Sequence, residues 1–130
     1  MKVKAKGANA ERELLRMFWE AGFACARVAG SGCVPKPSCD LLAGNDLTKL
    51  AIECKTSIKT KKYIEKEQMA DFMLFSKKFG LTPLVAVKFN RQGWWFIHPE
   101  KLEKTEKSLA ISLEDIKRNG CSFKEMIDLS

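Results

Sequence analysis

Two apolar runs separated by a turn each carry one acidic residue, and this pattern constrains the fold of the 130-residue chain more than any other feature. The first run is Asp40-Leu41-Leu42-Ala43. The second covers residues 50–56, and Gly44-Asn45-Asp46 lies between them. Strand-length apolar runs flanking a Gly/Asn/Asp cluster read as a β-hairpin. If the turn centres between Asp46 and Leu47, Asp40 lies opposite Glu53, and opposed residues share a face with Cβ atoms about 5 Å apart. A slip of one residue would send the two carboxylates to opposite faces. Within the second run, Ile52-Glu53-Cys54-Lys55 sets a carboxylate and an ammonium two apart, again on one face. Like charges placed opposite each other repel, so such a hairpin is tolerable when a cation sits between them.

The remaining elements follow from periodicity. Residues 9–21 read as a helix, opened at Ala8 or Asn9 and stopped by Gly22. Its apolar stripe is Leu14, Leu15, Phe18 and Ala21. Glu11 falls within that stripe at the i, i+3, i+4, i+7 spacing, while Arg12, Glu13, Arg16 and Glu20 lie on the other side. An ionised carboxylate aimed at the interior is costly unless a metal, a partner or water meets it. Residues 23–29 read as a short strand, followed by a turn-rich loop through Gly30-Ser31-Gly32 and Pro35-Lys36-Pro37-Ser38. A basic segment with Lys59, Lys61, Lys62 and Lys66 surrounds Tyr63 and leads into a second helix from residue 64 or 65 to 78. That helix ends at Gly80 and carries Phe72, Phe75 and Phe79 on its apolar side. Residues 83–89 read as a buried strand. Asn90-Arg91-Gln92-Gly93 turns it into Trp94-Trp95-Phe96-Ile97, whose two apolar faces imply cover on both sides, inside the domain or at a subunit interface. In the tail, 108–111 read as an edge strand, and 113–117 and 123–127 as short helices with Ser122 capping the second. With no repeat and no domain boundary, the expectation is a single α/β domain over 1–130, a central mixed five-stranded sheet flanked by helices.

Composition narrows the partner. Lys and Arg outnumber Asp and Glu by 23 to 16, a net charge of +7, which favours a polyanion. Five cysteines without a CxxC pair, and one histidine (His98), do not supply the roughly four closely spaced N/S ligands of a zinc site. The cysteines read as reduced small hydrophobes of an intracellular protein. No apolar run approaches the ~20 residues of a membrane span. The basic start, Met1-Lys2-Val3-Lys4-Ala5-Lys6, has no apolar region behind it, so no export signal is expected and the cytoplasm is the expected location.

The carboxylates of Asp40 and Glu53 are hard oxygen ligands. Mg²⁺ takes a few of these together with waters and substrate phosphate, and there it acidifies a water and offsets charge on a scissile phosphate. Lys55 on the same face can orient that water or stabilise the developing oxyanion. Glu11 can complete the metal shell, and the backbone carbonyl of Cys54 is a further candidate ligand. No GxSxG elbow and no glycine-rich phosphate loop points to another chemistry.

Several blocks together resemble the archaeal-type Holliday junction resolvases of the PD-(D/E)xK nuclease superfamily. They are Lys6-Gly7-Ala8-Asn9-Ala10-Glu11-Arg12-Glu13-Leu14, Gly22-Phe23, Arg27, Gly30-Ser31-Gly32, Asp40-Leu41-Leu42-Ala43-Gly44, Ile52-Glu53-Cys54-Lys55, Tyr63-Ile64-Glu65-Lys66-Glu67-Gln68 and Val85-Ala86-Val87-Lys88-Phe89. Their order and spacing are kept from residue 6 to about 98. The resemblance implies a restriction-endonuclease-like core and a homodimeric, Mg²⁺-dependent endonuclease, with Mn²⁺ able to substitute, that cuts opposed strands of four-way DNA junctions in recombination and repair. It implies Glu11, Asp40 and Glu53 as metal ligands, Lys55 as the catalytic lysine, Ser31 near the scissile phosphate, and Arg12 and Arg27 on DNA. Lys59, Lys61, Lys62 and Lys66 are further expected phosphate contacts. The proline usual before the motif aspartate is absent: Cys39 precedes Asp40, and Pro37 stands further back. Taken singly, Ser31 also reads as a turn residue, Arg27 as a surface arginine and the lysines as a solvated face. The rival readings are the same nuclease core acting on other branched or duplex DNA, and a non-catalytic DNA-binding module on that fold. The tail is left as a site for a replication or recombination partner.

Overall fold

The computed structural model describes residues 2–28 and 35–129, with side chains from Gly7 onward. The chain runs α1 (Lys2–Glu20), β1 (Ala24–Arg27), β2 (Leu41–Gly44), β3 (Lys49–Ser57), β4 (Lys61–Glu65), α2 (Lys66–Phe79), β5 (Thr82–Phe89), β6 (Gly93–Ile97), a 3-10 turn (Pro99–Lys101), β7 (Glu103–Lys104), β8 (Ser108–Ser112), α3 (Leu113–Asn119), β9 (Cys121–Ser122) and α4 (Phe123–Asp128). The main sheet has six strands in the order β1-β2-β3-β5-β6-β9, and β4-β8-β7 form a second, smaller sheet. In the main sheet β3 and β5 are parallel and the other neighbours antiparallel, so it is mixed.

The α/β expectation holds, with a sixth strand where five were expected. That strand is β9, two residues long and paired with Trp95 and Phe96 of β6. A two-residue strand is too short to carry a periodic signal. The small sheet also departs from expectation. The basic segment forms β4, with Ile64 buried in it, so the second helix starts at Lys66. Residues 108–112 are the middle strand of the small sheet and not an edge. The first helix begins seven residues before Asn9: Gly7 lies inside it, and a single glycine costs only about 1 kcal/mol in a helix otherwise rich in Ala and Lys. Gly22 and Gly80 close α1 and α2 with positive φ, where a side chain would be strained. Ser122 caps α4 through a full capping box with Glu125, as its spacing predicts.

Two cores lie on the two faces of the main sheet. Leu14 and Phe18 of α1 pack with Phe23, Leu41, Leu50, Ile52, Ala86, Trp94 and Phe96 on one face. Met69 and Phe72 of α2 pack with Ile64, Ala51, Val85, Val87, Ile97, Leu109, Ile111 and Ile116 on the other. Trp94 and Phe96 therefore point to one core and Ile97 to the other, which explains why that strand is apolar on both faces. Phe79 departs from the core expectation: it is 60 % exposed and touches only Phe75 among the rings, at 5.5 Å. His98 is structural, its Nδ1 accepting the Glu100 N–H at the start of the 3-10 turn. No described helix is long and apolar enough to cross a membrane. Cys25, Cys39, Cys54 and Cys121 are free thiols. Burial pushes those of Cys25 and Cys39 up to about 11 and about 12, so they are inert hydrophobes. Cys33 lies outside the described residues.

Candidate active site

The hairpin register places the first acidic pair. Leu41 pairs with Ile52 across β2 and β3, and one step further sets Asp40 opposite Glu53, as the centred turn predicts. The Asp40 N–H donates to the Ile52 carbonyl at 3.0 Å, which fixes that last step. Beyond Ile52 the β2 side of β3 has no strand partner. There Asp40 Oδ2 takes the place of one, accepting the Cys54 N–H at 2.8 Å. N–H and C=O of one strand residue point the same way, so the Cys54 carbonyl is directed to the side occupied by Asp40.

Glu53 is buried, and its Oε2 accepts from Gln68 Nε2 of α2 at 2.8 Å. Lys55 Nζ stands 3.9 Å from the same oxygen. Asp40 and Glu53 lie close enough to share a hydrogen bond, and both carboxyls titrate above their usual range. Burial is the main cause for each. The Asp40 charge is the next largest cause at Glu53, pushing it up to about 8, against which Lys55 and Gln68 act only in part. At Asp40 the Cys54 N–H opposes the burial, and the Glu11 charge adds to it. The site therefore holds more negative charge than its own lysine balances.

Glu11 comes from the other side of the sheet. Its Oε1 accepts from Arg27 Nε at 2.7 Å, so the carboxylate expected within the apolar stripe is met by a partner. Its charge still acts on Asp40 and Cys54. Arg27 is thus an ion-pair partner of a site residue, and Arg12 is exposed, with Nη1 3.4 Å from Asn9 Oδ1. Ser31 lies outside the described residues. Lys59, Lys61 and Lys66 are exposed and Lys62 half-buried, along β4 and its flanks. Lys66 Nζ donates to the Glu106 carbonyl at 3.0 Å.

Among the described residues, no three Asp, Glu, His or Cys side chains form a ready-made metal cage. The donor set nevertheless fits Mg²⁺, which needs only one or two carboxylates and fills its octahedron with waters and phosphate oxygens. Asp40 and Glu53 would be that pair, and their raised pKa values mark a place where a cation would relieve repulsion.

Two features escape a sequence reading. Gln68 orients Glu53; its place in one of the blocks that carry the resemblance hints that it matters but not at this contact. Glu13, expected on the solvent side of α1, is half-buried and accepts from Lys88 Nζ at 2.8 and 2.9 Å and from Trp94 Nε1 at 2.9 Å. The helical wheel misses this because α1 crosses the sheet next to two long donors that reach up from β5 and β6.

Comparison with known proteins identifies the family and the fold. The family described as archaeal Holliday junction resolvase (hjc) matches residues 2–130. The chain is 42 % identical over 109 residues to the crossover junction endodeoxyribonuclease Hjc of Archaeoglobus fulgidus, covering 84 % of this chain and 80 % of that one. It is 43 % identical over 122 residues to the protein of the same name from Methanocaldococcus jannaschii, covering 94 % and 86 %. The solved structure of Archaeoglobus fulgidus Hjc, a Holliday junction resolvase from an archaeal hyperthermophile, superposes with a TM-score of 0.87 at 37 % identity, covering 93 % of this chain and 99 % of that one. The chain belongs to the archaeal Holliday junction resolvase (Hjc) family.

Proposed function

We infer that this protein is a Holliday junction resolvase, an endonuclease acting on four-way DNA in recombination and repair. The observation that carries the chemistry is the pair of half-buried Asp40 and buried Glu53, set opposite each other with Lys55 beside them. We further propose that the reaction depends on Mg²⁺, with Mn²⁺ able to substitute. Asp40, Glu53 and the Cys54 carbonyl would hold the ion, and Glu11 would join on release from Arg27. When bound, the ion acidifies a water and withdraws charge from the scissile phosphate. The chain supplies the rest. Gln68 and the Cys54 N–H hold the two carboxylates in place. Lys55 stands where an ammonium can orient the attacking water and balance charge that builds on the phosphate. Arg12, Arg27 and the lysines of β4 neutralise the DNA backbone, which positions it without reading sequence. Ser31 keeps its proposed place near the scissile phosphate.

Two opposed cuts need two sites, which a C2 dimer provides. The exposed rings of Trp19 and Phe79 border a largely apolar hollow of about 530 Å³ with Leu42 and Leu81. A second copy of the chain is the occupant that fits the proposed symmetry. Sedimentation at micromolar concentration should give a dimer, and Phe79→Asp should give a monomer that nicks one strand.

The deciding assay incubates the protein with a synthetic four-way junction and with the matching linear duplex, with Mg²⁺ or EDTA. Paired cuts in opposed strands of the junction, only with Mg²⁺, are expected. Equal cutting of both DNAs would reject junction selectivity, and cutting in EDTA would reject the metal.

A further inference from the structure

The lysines around the site bind phosphate on any duplex, so they cannot tell a junction from linear DNA. What a junction offers beyond a duplex is a branch point, where base pairs end with exposed faces and strands diverge. A protein can recognise that with an apolar or aromatic side chain presented between basic surfaces.

The link between β3 and β4 has this form. Ile58 is 70 % exposed at its tip, and Tyr63 on β4 is 56 % exposed. Ile58 lines two separate hollows of similar size. One, about 520 Å³, runs beside Asn9, Lys88, Asn90 and Arg91, and its one carboxylate, Glu13, is neutralised by Lys88. The other, about 500 Å³, is lined by Lys59, Lys61, Lys62 and Tyr63. Ile58 therefore borders both hollows, one with the net positive charge of Arg91 and the other with three lysines. Lys61 Nζ sits 5.5 Å from the centre of the Tyr63 ring, so the aromatic face lies within the charged groove.

The tip is braced from both sides. Ser57 Oγ accepts the Lys59 N–H at 3.2 Å and donates to the Lys59 carbonyl at 2.9 Å. The Asn90 N–H reaches the Ser57 carbonyl at 2.9 Å, and the Leu113 N–H reaches the Thr60 carbonyl at 2.7 Å. At a strand rise of about 3.3 Å per residue, Ile58 stands about 10 Å along the chain from Lys55, within one strand's reach of the candidate active site.

We propose that Ile58 is a branch-point wedge: it meets the exposed base faces at the junction centre, Tyr63 stacks on a base beside it, and the two diverging strands run in the two grooves. This deepens the resolvase reading and rests on it. The wedge is a specificity device, and it takes no part in the chemistry.

The test uses a four-way junction with 2-aminopurine next to the branch point, bound in EDTA so that nothing is cut, with linear duplex as control. Wild type should raise the fluorescence at the branch point and leave the duplex unchanged. Ile58→Ala should lose most of that rise while its Kd stays within about threefold, because the phosphate contacts remain. Ile58→Leu should keep the rise. Ile58→Lys, which adds charge and removes the apolar tip, should lose it. With Mg²⁺, the preference of Ile58→Ala for cutting junction over duplex should fall roughly tenfold, because the branch point is no longer held in position for cutting. Ile58 is exposed, so matching melting curves will confirm that the variants fold. If Ile58→Ala opens and cuts the junction as wild type does, the wedge is overturned and the resolvase reading stands. If wild type treats junction and duplex alike, both fall.

Discussion

Two carboxylate clusters sit against the same sheet and have opposite electrostatics. Glu13 meets an ammonium and an indole N–H, and these hydrogen bonds, Lys88 first, hold its carboxyl below the usual range. Glu53 meets another carboxylate in a buried place and is held above it. The first cluster is balanced and contributes to the fold. The second is left in deficit of positive charge, and such a deficit is maintained where an external ligand will fill it. The contrast separates a structural ion pair from the proposed reaction site without reference to any relative.

The largest test of that contrast is catalytic. Glu53→Ala and Asp40→Asn should each lower junction cutting by about 10³-fold or more while gel-shift binding survives, because they remove groups proposed to act on the reacting phosphate. Lys55→Met should give a loss of about 10²–10³-fold. Retained cutting in any of the three would dissolve the distinction. Stability should respond the other way. Urea unfolding in EDTA should show Glu13→Ala costing about 1–2 kcal/mol, a charged hydrogen bond discounted for partial exposure. Glu53→Gln, which removes a carboxyl whose ionisation is disfavoured by burial and by Asp40, should leave stability equal or higher.

A finer test is pH. In EDTA the folded Glu53 carboxyl keeps its proton up to about 8, whereas unfolding returns it to its ordinary value of 4.5. Between these values the native state binds more protons than the unfolded state, so this group's contribution falls as pH rises through the window. Glu13 acts with the opposite sign: its contribution is present above 4.5 and is lost as pH falls through its lowered folded value. Melting temperatures of wild type and Glu53→Gln in EDTA should therefore diverge from pH 5 to pH 8, the wild type declining more. Parallel curves would mean that the carboxylate pair is already compensated. The smallest effect belongs to the surface lysines: Lys59→Ala, Lys61→Ala and Lys62→Ala should each weaken binding equally on all DNAs and reduce the salt slope by about 1.

Much of this was legible in the chain because it is local. With the turn centred between Asp46 and Leu47, Asp40 falls opposite Glu53 and Lys55 shares that face, which is the register the structure has. Ser122 and Glu125 carry their cap in their spacing. The two-residue β9 and the role of β4 as a strand of a second sheet were not legible, since each exists only through its partner strand. Gln68 on Glu53, Arg27 on Glu11 and Lys88 on Glu13 were hidden for the same reason: each joins residues 15, 16 and 75 positions apart.

The sequence by itself determined the hairpin, the chemistry available on it and the family, because turn residues, alternation and charge act over a few positions. Only the tertiary structure decided which carboxylate is balanced and which is not. Glu11, Glu13 and Glu53 differ little as residues; they differ in what the folded chain brings to them and in how much water it removes, and those two quantities set whether a charge supports the fold or waits for a substrate.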